Sequence, residues 1–348
     1  MSAPRHLLDC QRATLVDWMR DQGQPEFRAD QVFRWLYQGR AASCDAMSDL
    51  PKKVRAALAE SFTLWTTRVA KQHRADDGTQ KLLIELADGG QIECVLLADG
   101  DRRSICISTQ VGCAMGCVFC ASGLDGVDRN LTTGEIVEQM LRLQHLLPAD
   151  ERLSHIVVMG MGEPLANLDR LLPALEVASS EKGLGISARR ITISTVGLPP
   201  AMRRLVERNT RYNLAVSLHA PHDDLRNRLV PVNHRMGLKA ILNEADNYFT
   251  QSGRRLTYEY VLLADVNDSP ECARQLAALL HGRNALVNVI PYNPVAGLPY
   301  RTPSSAASRR FREILESAGL NVKFRRRKGQ KINAACGQLR RTGVEMEE

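Results

Sequence analysis

The chain reads as an α/β protein built on a parallel sheet, open or closed into a barrel, with a small helical region ahead of it. Three observations carry this reading. From about residue 103 onward, short apolar runs alternate with longer stretches of helical periodicity. The alternation repeats about six times, as parallel strands joined by helical crossovers require. Before residue 70 the apolar residues recur at helical spacing only.

In the opening segment, Leu15, Trp18 and Met19 share one helical face, and Val32, Phe33, Leu36 and Tyr37 share another. Pro25 separates the two helices, and Pro51 opens a third after Ser48, Asp49 and Leu50. Two apolar runs follow, Leu82 to Leu86 and Ile92 to Leu97, joined through Asp88, Gly89 and Gly90 as a β-hairpin would be. The strands predicted beyond it are Ser104–Ser108, Ile156–Met159, Ile191–Thr195, Leu214–Leu218, Leu256–Leu263 and Leu286–Ile290, with a last one at Val322–Phe324. Between the first two, Thr132 stands three residues before Glu135, the spacing of a capping box. Ile136, Met140, Leu143 and Leu147 then line one helical face. In such sheets ligands bind at the C-terminal ends of the strands.

No run approaches the roughly 20 apolar residues that span a bilayer, and Met1 to Cys10 lacks the apolar core of a secretory signal. A cytoplasmic protein that makes no membrane contact is the expectation. The formal charge of +7 favours a polyanionic partner. Arg325, Arg326, Arg327 and Lys328 form a basic run, with Arg340 and Arg341 beyond; a solvated basic tail is the plain alternative.

Nine cysteines, an odd number, argue against a disulfide framework and for metal or thiol chemistry. Cys113, Cys117 and Cys120 sit within eight residues, after the first core strand. A structural zinc site takes four ligands, commonly as two separated pairs, and no second pair exists here. Three thiolates on a four-iron cubane leave one iron open to bind a ligand. A structural metal knuckle, or three buried thiols, is the alternative. Phe119, between two of the ligands, either shields a cluster or is a core aromatic.

Three cysteines spaced in this way, on a strand-to-loop junction, resemble the signature of the radical-SAM superfamily. That resemblance implies a 4Fe–4S cluster on Cys113, Cys117 and Cys120, with S-adenosylmethionine on the open iron, and a partial (βα)6 barrel. Met159-Gly160-Met161-Gly162-Glu163-Pro164 resembles the motif that holds the amino group of the cofactor, through Gly162 and Glu163. The resemblance extends cofactor contacts to Ser194, Ser217, Leu218, His219 and Asn293, polar or backbone groups at successive strand ends.

The segment Ile332-Asn333-Ala334-Ala335-Cys336-Gly337-Gln338-Leu339 narrows this further. With the cluster motif it closely resembles the RlmN and Cfr family of RNA methyltransferases, most of all the RlmN type, over nearly the whole chain. The resemblance implies that Cys336 carries a methyl group, and that two S-adenosylmethionine molecules are used per turnover. It makes Cys106 the second thiol, which releases the product by forming a disulfide with Cys336, and Glu93 the base. Cys94, beside Glu93, matches no such role and reads as strand packing. The implied reaction is methylation of carbon 2 of an adenine in 23S ribosomal RNA, with transfer RNA a further candidate substrate. Methylation at carbon 8 is the alternative, and a non-catalytic iron–sulfur RNA-binding protein a remote one. A one-electron donor such as flavodoxin or ferredoxin and a monomeric enzyme complete the expectation.

Lys331 stands where the family usually has an acidic residue, and Gln330 also departs from it. Extra lysine adds phosphate attraction without base specificity. The expected organisation is a helical RNA-binding accessory domain at 1–70 and a radical-SAM core with a leading hairpin at 75–320. A basic tail at 321–348 carries Cys336. A target adenine must be flipped out to reach such a site. Arg325 to Arg327 and the N-terminal domain are the elements expected to grip RNA.

Overall fold

A computed structural model describes residues 4–325, 329 and 332–340 of the chain. The segment before the sheet is helical, with α1 (Arg12–Asp21), α2 (Phe27–Tyr37) and α3 (Lys52–Ser61). Leu15 and Met19 of α1, and Val32, Phe33, Leu36 and Tyr37 of α2, are buried, as their spacing requires. A short parallel pairing of Arg5–His6 with Phe62–Thr63 ties the two ends of this segment together.

Ten strands then form one sheet in which each strand is laid beside its predecessor. They are β1 (Arg68–Arg74), β2 (Gln80–Glu85), β3 (Gln91–Asp99), β4 (Arg102–Cys106), β5 (His155–Val158), β6 (Ile191–Thr195), β7 (Asn213–Ser217), β8 (Leu256–Leu262), β9 (Ala285–Pro291) and β10 (Asn321–Phe324). β1 to β4 run antiparallel as a meander. β4 to β10 run parallel.

Helices cross over between the parallel strands: α4 (Thr133–Gln144), α5 (Leu168–Ser179), α6 (Pro199–Glu207), α7 (Asp223–Leu229) with α8 (Leu238–Ser252), α9 (Pro270–Leu280) and α10 (Ser305–Ser317). Strictly sequential order with right-handed crossovers puts these helices on the same side of the sheet. The sheet ends at β1 and β10, so the barrel stays open: six strand–helix units and a closing strand. Strands covered on both faces explain the near-continuous apolar runs, such as Leu214, Ala215 and Val216 in β7, each fully buried. Thr132 caps α4 in a full capping box with Glu135.

Two features differ from the sequence expectation. β1 begins at Arg68, inside the segment expected to be helical, and its pairing makes the hairpin a three-strand extension of the core sheet. A second small sheet, Gln110–Gly112 with Val127–Asn130, brackets the three-cysteine loop. The bracket holds both ends of that loop at the mouth of the barrel.

The helical segment is fastened to α4 by several bonds, of which Asp9 accepting from Gly134 N–H at 2.6 Å is one and a buried carboxylate of α4 the centre of most. Glu138 accepts from the N–H and hydroxyl of Thr66, both at 3.0 Å, and from those of Thr67, at 3.1 and 2.6 Å. His6 Nε2 lies 3.3 Å from the same group. Among the described residues no helix is long and apolar enough to cross a membrane.

Candidate active site

The C-terminal ends of β4 to β9 surround a cavity whose walls include Cys113, Cys117, Cys120, Gly162, Glu163, Ser194, Ser217, His219, Asn293 and Cys336. Residues scattered over more than two hundred positions of sequence thus meet at one place, because every parallel strand delivers its following loop to the same end. Leu218 lies beneath rather than in the wall. It is fully buried, its N–H donating to the Glu259 carbonyl at 3.0 Å.

The cysteine loop folds so that all three thiols are largely shut away from water. Burial first pushes their pKa values up, that of Cys113 to about 12, helped by neighbouring thiols and Glu163 at Cys113 and Cys117 and by Cys336 at Cys120. Such thiols stay neutral unless a cation ionises them. Among the described residues no three His, Cys, Asp or Glu side chains converge on a point where a single ion would sit, as a mononuclear knuckle requires. All three thiols border the one cavity, as ligands of a shared cluster must.

The loop after β5 is held against the end of β4 by contacts that only glycine permits. A Cβ on Gly160 would meet the Ile107 carbonyl at 2.6 Å; one on Gly162, at φ +99°, would meet Gln110 Cβ at 2.6 Å. Glu163 accepts from Leu165 N–H at 3.0 Å and Val196 N–H at 2.9 Å. The Thr195 hydroxyl is a further donor to it, and the two oxygens, with about four acceptor sites between them, still leave room for an ammonium. Burial raises the Glu163 pKa, against the pull of these donors.

His219, at φ +61°, accepts at Nδ1 from Val261 N–H at 3.1 Å, so its proton resides on Nε2. Burial, with Arg226 nearby, lowers its pKa to about 3 and keeps it a neutral donor. The Phe119 ring meets it edge-on at 5.0 Å, so that aromatic supports the cofactor wall. Ser194 and Ser217 hydroxyls lie 3.4 Å apart across β6 and β7. Asn293 Oδ1 is buried with no partner, an acceptor awaiting a ligand donor. The glycine cradle, the free carboxylate lone pairs, the orphaned Asn293 oxygen and the three thiols fit S-adenosylmethionine on a 4Fe–4S cluster.

Cys336 is brought here by a tail sewn to its surroundings. The Gly337 carbonyl accepts from Ala121 N–H at 2.8 Å, and that of Leu339 from the Ser122 hydroxyl at 2.7 Å. Asn293 Nδ2 donates to the Cys336 carbonyl at 3.3 Å. Arg325 Nη1 stands 3.3 Å from Cys336 Sγ. Cys106 is close enough that burial first and Cys336 second push its pKa up to about 12. Both thiols are free.

Glu93 does not line this cavity. It lies in a neighbouring one with His73, Lys81 and Arg340. There it forms a buried ion pair with Lys81 at 2.7 Å and accepts from Arg340 N–H at 2.9 Å. Lys81 also donates to the Asn333 carbonyl at 3.2 Å, so this pair grips the tail on both sides of Cys336. Cys94 points away into the core and is fully buried, as a packing residue should be.

Sequence reasoning misplaced Arg325. Rather than a surface grip for RNA, it is half-buried and turned toward Cys336, because the β10 strand runs straight into the site. Arg326, Arg327, Lys328, Gln330, Lys331 and Arg341 lie outside the described residues. Three other site residues were missed. Glu259 was legible as a carboxylate inside an apolar strand, and it accepts from Asn288 at 2.7 Å. Lys81 and Arg226 carried no signal, since both residue types are usually exposed. Arg226 is fully buried, and donates to the Leu218 and Ser217 carbonyls at 3.0 Å.

Comparison with known proteins agrees with this geometry. Residues 5–64 match the ribosomal RNA large subunit methyltransferase N-terminal domain, and residues 107–276 match the radical SAM superfamily. A probable dual-specificity RNA methyltransferase RlmN of Rhodopirellula baltica is 66% identical over 98% of this chain and 92% of its own. That of Symbiobacterium thermophilum is 50% identical over 94% and 88%. The crystal structure of a radical SAM methyltransferase from Sphaerobacter thermophilus superposes with a TM-score of 0.94 at 43% identity, covering 97% of this chain and all of that one. With identity this high over nearly the full length of both partners, the chain belongs to the RlmN family of radical S-adenosylmethionine RNA methyltransferases.

Proposed function

We propose that this enzyme methylates carbon 2 of an adenine in 23S ribosomal RNA and in transfer RNA, by way of a methyl group carried on Cys336. The observation that carries the reading is the placing of Cys336: its sulfur faces the cofactor cavity, against Arg325 Nη1, with a second free thiol, Cys106, within electrostatic reach. The relatives are described as dual-specificity RNA methyltransferases, which accords with more than one target.

When bound, S-adenosylmethionine on a 4Fe–4S cluster held by Cys113, Cys117 and Cys120 supplies the methyl group and the one-electron chemistry, two molecules per turnover. The chain's own residues do the rest. Asn293 and Arg325 orient Cys336 from its two sides. Glu93 takes the proton from the modified carbon; burial keeps its carboxyl basic, while Lys81 keeps it charged. Cys106 then attacks the Cys336 sulfur; the sulfur–carbon bond to the adduct breaks, its electron pair takes up a proton to complete the methyl group, and the disulfide left behind is reopened by a two-electron reductant. The reading also includes a small one-electron donor such as flavodoxin or ferredoxin, a monomeric enzyme and a cytoplasmic setting.

Nucleoside mass spectrometry after anaerobic reaction with unmethylated ribosomal and transfer RNA tests it. The expected product is 2-methyladenosine, absent with Cys336→Ala. Methyladenosine modified only at carbon 8 would overturn the regiochemistry. Cleavage of S-adenosylmethionine with no methyladenosine would overturn the RNA assignment.

A further inference from the structure

β1 forms one edge of the sheet, and its sequence, Arg68-Val-Ala-Lys71-Gln-His73-Arg74, contains no acidic residue. Side chains of a regular strand alternate between faces, so Arg68 and Lys71 should point to opposite sides. A bulge between Val69 and Lys71 cancels that. Arg68 pairs with Glu85, Lys71 with Leu83 and His73 with Lys81, three alternate residues of β2 that share one face.

The rows continue across the meander, Lys71–Leu83–Glu93 in one and His73–Lys81–Val95–Cys106 in the next. The bulge therefore turns Arg68, Lys71 and His73 onto the face that carries Glu93 and Cys106. At about 4.8 Å between strands, the Lys71 backbone stands about 10 Å from that of Glu93. Lys71 is exposed, Arg68 is exposed with its guanidinium on Glu85 at 2.6 Å, a partner that a phosphate would displace, and His73 lines the Glu93 cavity together with Arg340 of the tail. Charges that only guarded an edge against aggregation would serve on either face. Bulges re-aim side chains, and this one aims cations at the proposed chemistry.

We infer that β1 is a phosphate track: Arg68 and Lys71 hold the backbone of the RNA strand beside the flipped adenine, and Arg340 borders it on the opposite lip of the Glu93 cavity. The inference rests on the RNA reading above. Phosphates bound by two cations also give the complex a defined salt dependence, since each contact releases condensed counterions.

The test is fluorescence anisotropy with a labelled 23S ribosomal RNA fragment containing the target adenine, measured over a salt series. In the Arg68→Gln/Lys71→Gln double variant, affinity is expected to fall about tenfold, and the slope of log K against log salt to shrink by about 1.4. Loss of the exposed Lys239 charge on α8, by Lys239→Gln, is the control and leaves both unchanged. A melting temperature equal to that of the wild type establishes that the double variant is folded. Unchanged affinity and slope in the double variant would overturn the track. So would a raised KM for reduced flavodoxin with RNA binding intact, which would assign these cations to the electron donor. A wild-type enzyme that binds no RNA fragment would instead overturn the reading on which the track rests.

Discussion

Lys81→Met keeps the length and apolar stem of the side chain but strands the Glu93 carboxylate without its cation. The two groups are 7% and 4% exposed and 2.7 Å apart. Removing one member of a buried ion pair costs about 3–5 kcal/mol. At about 2.1 cal/mol/K per residue over 348 residues, the unfolding entropy is about 0.7 kcal/mol/K, so Tm falls by about 4–7 °C. The variant also loses activity by a route of its own. Burial pushes the Glu93 pKa up and Lys81 is the first influence pulling it back, so without Lys81 the neutral acid is favoured. Folded-state protonation then relieves the strain, and the stability deficit narrows as pH falls from about 7.5 to about 5.5. Differential scanning fluorimetry at both pH values, with methyladenosine formation measured alongside, checks each part. Lys81→Met/Glu93→Gln buries no stranded charge and should recover most of the lost Tm. The reasoning is refuted if Lys81→Met melts within about 1 °C of wild type, or if the double variant melts no higher than the single one.

Two further expectations concern Arg325, which the sequence assigned to the RNA, and His6, which it left unassigned. Arg325→Met removes the donor 3.3 Å from Cys336 Sγ, a charge-assisted contact of about 1.5–3 kcal/mol, so methyl loading of Cys336 slows about tenfold or more. Intact-protein mass spectrometry over a time course reads this, and an unchanged loading rate would contradict it. For His6, burial alone would lower the pKa, but Asp9 and Glu138 raise it to about 9. The stability this contributes is fully present below about pH 6.5 and is lost as pH rises through 9, on the order of 3 kcal/mol in all. Urea midpoints at about pH 6.5 and about pH 9.5 should differ in the wild type and converge in His6→Gln; equal slopes in both proteins would rule the ion pair out.

Periodicity made the parallel part of the sheet legible, because strands buried on both faces advertise themselves as apolar runs. β6 matches its expected span residue for residue, and the others differ by one or two positions at one or both ends. β1 escaped because an edge strand needs no apolar pattern; only Val69 and Ala70 break its polar run. Motif spacing located the cofactor cavity, since each signature residue follows a strand and strands share one mouth. What spacing could not convey was depth. Arg325 belongs to a run that reads as surface charge, yet the direction of β10 carries it into the site. Nor could it tell that Glu93 would be held by Lys81 in a pocket of its own, because that pairing depends on the register of β2 against β3.

That same register separates two reactive neighbours. Glu93 and Cys94 are adjacent in sequence, but the pleat sends one to the face that carries Lys81 and Cys106 and the other into the core. A single residue inserted or deleted between the Leu86–Gly90 turn and Glu93 would slip the strand by one and exchange them, turning the Cys94 thiol toward Lys81 and the Glu93 carboxylate into the core. Lengthening at the turns themselves leaves the rows aligned. Natural length variation in this region should therefore collect at the hairpin tips and avoid the strands Gln91–Asp99 and Arg102–Cys106.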